Sequence, residues 1–182
     1  MNATDPILFY NRYSGQLETE AVYGGGFLKW AYGNPLGRVS VELLVKRAFF
    51  SHFYGWWMDR PSTVAKVKPF VKSFGLDAEE FAKKMDEFTS FNDFFSRELK
   101  PEARPIADDR DAVVFPADGR HLGFQDLSKV QHVFVKGQSF DLEALLGNAD
   151  LANRYRNGSA VLSRLCPTDY HRFHFSVQGK AG

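Results

Sequence analysis

The sequence predicts an α+β fold, with an N-terminal helical region followed by a mainly antiparallel β domain that is incomplete at the C-terminus. Two observations predict it. Up to about residue 105, apolar side chains recur at the i, i+3, i+4, i+7 spacing of helix faces; beyond it, short β-rich runs are separated by Gly, Asp and Asn. Helices first and strands second is the α+β order. The change divides the chain into residues 1–105 and 106–182, with no internal repeat or low-complexity tract. A chain of 182 residues buries roughly 70% of its unfolded surface, enough for a core without covalent staples.

The segment LGRVSVELLVKRAFFSHFYGWWMDRP (36–61) reads as a helix from about Ser40 into the aromatic run, because Val41, Leu44, Val45 and Ala48 or Phe49 share one face. STVAKVKPFVKSFG (62–75) reads as another, with Ser62 as N-cap, Gly75 as stop and a kink at Pro69. DAEEFAKKM (77–85) opens with Asp77 and Glu80 in capping-box spacing, and SFNDFFSREL (90–99) repeats the device with Ser90 and Asp93. There Phe91, Phe94, Phe95 and Leu99 fall on one side, and Lys100-Pro101 ends the helix. DAVVFPADG then gives a strand at 112–115 running into a turn. HLGFQD and HVFVKG are strands; SFDLEALLG is a short helix, and DLANRYRNG another with Gly158 at its C′ position. SAVLSRLC (159–166) reads as a buried strand.

Composition excludes several functions. A net charge of +1 offers no bulk attraction for nucleic acid. The single Cys166 excludes an internal disulfide framework and a cysteine-based zinc site, and fits a reducing compartment. The N-terminus lacks the basic-then-apolar order of a secretory signal, and no window approaches 18 uninterrupted apolar residues. The expectation is a soluble or peripheral protein. Asn157-Gly158-Ser159 matches a glycosylation sequon but reads as a helix stop.

Three stretches can carry chemistry. In FPADGRH (115–121), Asp118-Gly119 after a proline is most simply a turn; the functional alternative is a carboxylate that orients an imidazole or holds a proton. In DYHRFH (169–174), His171 and His174 stand three apart, so in extended chain they face opposite ways and one works while the other packs. A histidine titrating near neutrality suits a general acid or base. A metal site is disfavoured because third and fourth ligands are not evident, His121 and His132 being candidates by arithmetic alone. Arg164 and Arg172 are candidate substrate-phosphate ligands, with pairing to Asp169 or surface ion pairing as the alternatives.

The third stretch is aromatic and basic. Lys29, Arg38, Lys46, Arg47 and Arg60 stand among Phe49, Phe50, Phe53, Tyr54, Trp56 and Trp57, against only Glu42 and Asp59. An interfacial helix uses this mixture, with rings at the headgroup level and cations toward anionic lipid. Packing of the rings in a core is the alternative. On the first reading, residues 1–105 form a membrane-associating region.

Together these stretches resemble phosphatidylserine decarboxylase in its proenzyme form, in a bacterial branch of that family. YGGGFLKWAYGNPLGR and AFFSHFYGWWMDRP resemble its N-terminal part, FNDFFSRELKPEARPI its linker helix, FPADGR its Pro-Ala-Asp-Gly element, VFVKGQSFDLEALLG its Lys-Gly and Leu-Leu-Gly segment, and RLCPTDYHRFHFSVQG its Asp-Tyr-His-Arg-x-His element. In this order, over about 150 residues, the motifs are strongly specific, although each is modest alone.

The resemblance implies a lyase that converts phosphatidylserine to phosphatidylethanolamine and carbon dioxide, using a pyruvoyl group made from a serine of its own chain. Losing a carboxylate leaves an electron pair on carbon, and a covalently held ketone is the sink for it. It implies that residues 106–182 are a partial catalytic domain. By the match, His171 is the base that activates the self-cleavage serine, Asp118 orients it, and His174 assists decarboxylation or product protonation. The family's serine lies in a Gly-Ser-Thr context that these 182 residues do not contain. The expectation is therefore the β-chain part of a proenzyme, truncated before that serine and inactive alone. Implied partners are phosphatidylserine, an anionic membrane surface, the α chain of the same proenzyme and a second copy in a homodimer, at the cytoplasmic side of a bacterial membrane. A non-catalytic lipid-binding relative is the alternative, and a metal-dependent hydrolase ranks below both.

Overall fold

In a computed structural model the described residues are 7–20, 26, 33–35, 48–109, 111–130, 133–135 and 138–179. By packing they form two compact units, Met1–Asp118 with Leu165–Gly182, and Gly119–Arg164. The architecture is α+β, as predicted: short helices and, among the described residues, three two-stranded antiparallel sheets.

The first unit opens with a hairpin absent from the sequence reading, β1 (Leu8–Asn11) and β2 (Gln16–Thr19), with Leu8 opposite Thr19 and Asn11 opposite Gln16. Just past β2, the buried Cys166 thiol donates to Glu20 Oε1 at 3.0 Å, fastening the hairpin to the C-terminal segment. Helix α1 (Ala48–Met58) is the aromatic run; the expected start near Ser40 lies outside the described residues.

Residues 62–75 are not one kinked helix. Pro61–Lys66 is a 3-10 segment with Pro at its start, and α2 (Val67–Phe74) follows, ending on Gly75 at φ 62°. Arg60, not Ser62, is the N-cap. Pro69 therefore falls in the first turn of α2, where its missing N–H costs no helical hydrogen bond. Gly75 takes the left-handed conformation that a Cβ would disfavour.

Two further helices are shorter than predicted. After Asp77 caps the Glu79 N–H at 2.9 Å, only the 3-10 turn Ala78–Glu80 forms, because Phe81 leaves it to bridge Leu99 and Ala82 N–H donates to Glu98 O. Helix α3 (Phe91–Phe95) keeps its expected cap, Ser90 Oγ accepting from Asp93 N–H at 3.0 Å, but stops at Ser96 rather than reaching Leu99. Tertiary pairing of Leu99 with Phe81 outweighs the local helical pattern.

The core of this unit is built from phenylalanine. Met58, Val67, Phe70, Phe81, Phe88, Phe91 and Phe94 form one buried cluster. Phe94, 0% exposed, is its centre, with edge-on or tilted contacts to Phe70, Phe81, Phe88 and Phe91 at ring-centroid distances of 5.6, 5.9, 5.5 and 5.8 Å. Buried Thr63 links the layers: its hydroxyl donates to Arg60 O at 2.6 Å and accepts from Phe91 N–H at 2.9 Å. The predicted strand 112–115 is absent as a regular element. Isolated backbone bonds, Val114 N–H to Ser176 O at 3.0 Å and His174 N–H to Pro116 O at 2.9 Å, nevertheless lay 114–116 beside 174–176.

The second unit contains β3 (Arg120–Phe124), β4 (Val133–Val135), β5 (Gln138–Phe140), α4 (Leu142–Leu146), α5 (Ala149–Tyr155) and β6 (Ala160–Arg164). β3 pairs with β6, and β4 with β5. Asp141 and Asn148 cap α4 and α5, and Gly147 at φ 63° stops α4. Gly158 is not a left-handed C′ residue; its N–H donates to Tyr155 O at 2.9 Å after α5 has ended. Nor is β6 a buried strand. Among the described residues it has one sheet neighbour, and its residues are half-buried to exposed.

Candidate functional site

The pairing of 114–116 with 174–176 puts the Pro-Ala-Asp-Gly and Asp-Tyr-His-Arg-x-His stretches side by side within the first unit. Upstream of the histidines, a tight turn forms: Asp169 N–H donates to Cys166 O at 2.9 Å, and Cys166 N–H donates to Asp169 Oδ2 at 2.7 Å. This turn aims the next residues at the phenylalanine core.

His171 is half-buried. Its ring packs tilted against Phe95, at 4.2 Å between centroids and 43° between planes, and its Nδ1 lies 3.0 Å from Asp169 O. A carbonyl oxygen only accepts, so Nδ1 carries a proton, and in the neutral ring the lone pair is on Nε2. His174 is also half-buried, and its own N–H is spent on Pro116 O.

Asp118 makes no hydrogen bond to His171. Its carboxylate is gripped by Arg104, whose Nε lies 2.8 and 3.0 Å from the two oxygens and whose Nη2 lies 2.8 Å from Oδ2. Arg104 Nη1 also reaches Glu80 Oε1 at 3.1 Å. These hydrogen bonds, with Asp118 first, raise the guanidinium pKa above its ordinary value. Gly119 follows Asp118 at φ 142°, a conformation open to glycine, so the Asp-Gly corner is the expected turn.

The two candidate phosphate ligands are placed as follows. Arg172 donates to Ser96 O at 2.9 Å and to Glu98 Oε1 at 2.7 Å, on the exposed flank of α3. Arg164 ends β6 opposite Arg120 in the second unit. His121, in that same unit, has Nδ1 2.9 Å from Ser163 Oγ; His132 lies outside the described residues. Lys29, Arg38, Lys46 and Arg47 lie outside them too.

Among the described residues, two of the pockets lie in the first unit. One, of about 240 Å3, is lined by Arg97, Arg104, Asp118, Asp77, Tyr170 and Phe81 among others. The other, of about 250 Å3, includes Tyr170, Arg172, His174 and Lys100, and shares Arg104 and Tyr170 with the first. Sequence reasoning missed Arg97 and Arg104, although both lie in the quoted linker stretch. For Arg97 the available signal was an arginine three residues after Phe94, on the helical face of the phenylalanines. Arg97 is 5% exposed, and its guanidinium carbon lies 4.8 Å from the Phe94 ring centroid and 5.1 Å from that of Phe81.

The aromatic helix puts none of its rings in the core, Phe50 being half-buried and the others exposed. Met58 is buried, whereas Phe49, Phe53, Trp56 and Trp57 are exposed, Phe49 to 61%. Arg60 covers Trp56 at 3.9 Å and Lys66 covers Trp57 at 4.3 Å. Among the described residues no helix is long and apolar enough to cross a membrane.

A family model described as phosphatidylserine decarboxylase matches residues 91–182. A protein of Fusobacterium nucleatum named phosphatidylserine decarboxylase proenzyme is 42% identical over 176 residues, covering 97% of this chain and 59% of the relative. Proteins of the same name from Clostridium beijerinckii and Desulfitobacterium hafniense are each 41% identical over 173 residues, covering 95% of this chain and 58% of theirs. The chain thus spans less than two-thirds of the length of these curated relatives.

Proposed function

Since this chain belongs to the phosphatidylserine decarboxylase family, we propose that the whole protein converts phosphatidylserine to phosphatidylethanolamine and carbon dioxide, with this chain supplying β-chain residues of a self-processing proenzyme. The observation that carries the reading is His171, an imidazole with Nδ1 tied to a carbonyl and Nε2 left as a base, in the segment whose backbone pairs with the Pro-Ala-Asp-Gly stretch.

In the reaction the carboxylate leaves as carbon dioxide, its bonding pair stays on the α-carbon, and a proton then joins that carbon. A pyruvoyl group, when bound, supplies the ketone that engages the substrate amine and delocalises the pair. The residues here suit such a group, offering a half-buried base and a pocket lined by a carboxylate, two guanidinium groups and the Tyr170 phenol. During self-cleavage, His171 Nε2 takes the serine hydroxyl proton. The Asp169 carbonyl orients the ring, and Asp118, held by Arg104, adds negative charge from the pocket wall rather than a direct hydrogen bond. His174 is the proposed proton donor to the product carbon. Arg164 and Arg172 are proposed contacts to substrate phosphate; for Arg172 this means exchanging Glu98 for lipid.

The exposed rings of α1, with Arg60 and Lys66 over the tryptophans, support a peripheral position on an anionic bilayer, and the cytoplasmic side of a bacterial membrane is the proposed place. The α chain of the proenzyme and a second copy are the proposed protein partners.

Expression of the full-length gene product tests the function. Wild type is expected to resolve into two chains on a denaturing gel and to release carbon dioxide from phosphatidylserine vesicles, and His171→Ala to remain one chain. Normal cleavage of the variant removes His171 from the role of base. A cleaved wild type that leaves phosphatidylserine intact removes the function.

A further inference from the structure

Two successive residues of the histidine motif dock on the C-terminal end of α3. His171 lays its ring against Phe95, at 4.2 Å between centroids. Arg172 donates through Nε to Ser96 O at 2.9 Å, a carbonyl that the helix end leaves without an intrahelical partner, and through Nη1 to Glu98 Oε1 at 2.7 Å. Phe95 is itself fixed from behind. The Ser90 cap starts α3 so that Phe91 and Phe94 turn into the core, and Phe95, next along the helix, lies on the rim of that core with its ring 6.3 Å from Phe91. Among the described residues the hydrogen bond on the His171 ring is the one from Nδ1 to Asp169 O, two residues upstream. By itself such a bond holds a half-buried ring weakly, because water competes for the same nitrogen. The imidazole is then free to turn about its Cβ–Cγ bond and to exchange tautomers. A flat neighbour at 4.2 Å blocks that turn.

We propose that Phe95 is a positioning residue for His171: its ring holds the imidazole against Asp169 O, which keeps the proton on Nδ1 and the lone pair on Nε2. The phenylalanine core thereby reaches the histidine through two ring contacts, Phe91 to Phe95 and Phe95 to His171. An aliphatic side chain of similar volume fills the space but offers no flat face with a partial charge for the imidazole to meet. Losing such a ring contact shifts the population of a held ring by about two- to tenfold. A base displaced from its working geometry slows its step by up to about a hundredfold. The consequence for self-cleavage rests on the proposed decarboxylase function; the hold on the ring does not.

The test uses the full-length gene product and compares wild type with Phe95→Leu, Phe95→Tyr and Phe88→Leu. Phe88 is 3% exposed and packs its ring on Phe81 and Phe94, so Phe88→Leu loosens the same core and serves as the stability control. Histidine nitrogen NMR spectra are recorded at about pH 8.5, roughly two units above the ordinary imidazole value, with His171 assigned by its loss in His171→Ala. Wild type, Phe95→Tyr and Phe88→Leu are expected to show one tautomer with the proton on Nδ1, and Phe95→Leu an average of the two. On denaturing gels, self-cleavage of Phe95→Leu is expected to slow about tenfold, while the other two stay within about twofold of wild type. A wild type with mixed tautomers overturns the inference at once, as does a Phe95→Leu that keeps the single tautomer. Equal slowing by Phe88→Leu, or a Phe95→Tyr that behaves as Phe95→Leu, also overturns it. Normal cleavage of Phe95→Leu beside blocked cleavage of His171→Ala defeats this inference alone. Normal cleavage of His171→Ala defeats the functional reading alone, and the tautomer spectra then decide whether Phe95 holds the ring.

Discussion

Replacing Phe94 by alanine removes the ring on which the first unit is organised. Phe94 has no exposed surface and touches four other core rings at 5.5 to 5.9 Å. Truncation of a buried phenylalanine costs about 3–5 kcal/mol through lost transfer energy and the residual cavity. The upper half of that range applies, because four ring pairs are lost and the Arg97 guanidinium loses one of its two platforms. About 4 kcal/mol is a large part of the roughly 5–15 kcal/mol that holds a domain together. At roughly 2–4 °C per kcal/mol for a chain of this size, melting falls by about 8–16 °C. Phe94→Leu, which keeps much of the volume, is expected to lose less than about 2 kcal/mol. Phe173→Ala, at an 84% exposed position, is expected to stay within about 0.5 kcal/mol of wild type. Urea unfolding followed by the fluorescence of Trp56 and Trp57, which belong to the same unit, measures all three. A Phe94→Ala midpoint matching that of Phe173→Ala would refute the assignment of Phe94 as the core's centre.

Acid stability and membrane contact give two further outcomes. Lys83 at 2.8 Å, then the Thr89 N–H, hold the Asp93 pKa below its ordinary value. A lowered folded-state pKa contributes stability that is complete above the unfolded value of about 3.9 and is lost as pH falls through the folded one. Wild type is therefore expected to out-melt Asp93→Asn at pH 6 and to converge on it as pH falls below about 4; a gap that widens on acidification contradicts the ion pair. Trp56→Ala with Trp57→Ala is expected to cut co-sedimentation with anionic vesicles severalfold while leaving the melting temperature nearly unchanged, because both rings are exposed. Unaltered co-sedimentation rules out α1 as the contact.

How far the sequence could be read depended on the range of the forces involved. Caps are short-range, so Ser90, Asp77 and the stop at Gly75 act where local chemistry places them, whereas Ser62 and Gly158 do not, because the helices they were to bound start or end elsewhere. Helix length is not local. The 77–85 and 90–99 helices were cut short because Phe81 and Leu99, equally suited to a helix face, pair with each other across the chain. Residues 62–75 divided at Lys66 because the core needs Val67 and Phe70 buried together.

The site shows the same division. From the order of its residues alone, the chain determined its family, its α+β class and which motif histidines and aspartate merit attention. Only the tertiary structure decided their partners. Asp118 went to Arg104, and the His171 ring went to a backbone carbonyl and Phe95. A carboxylate pairs with whichever cation the fold brings within reach, and no spacing along a chain encodes that distance. The same reason hid Arg97, whose unmet hydrogen bonds exist only because folding buried it against two phenylalanine rings.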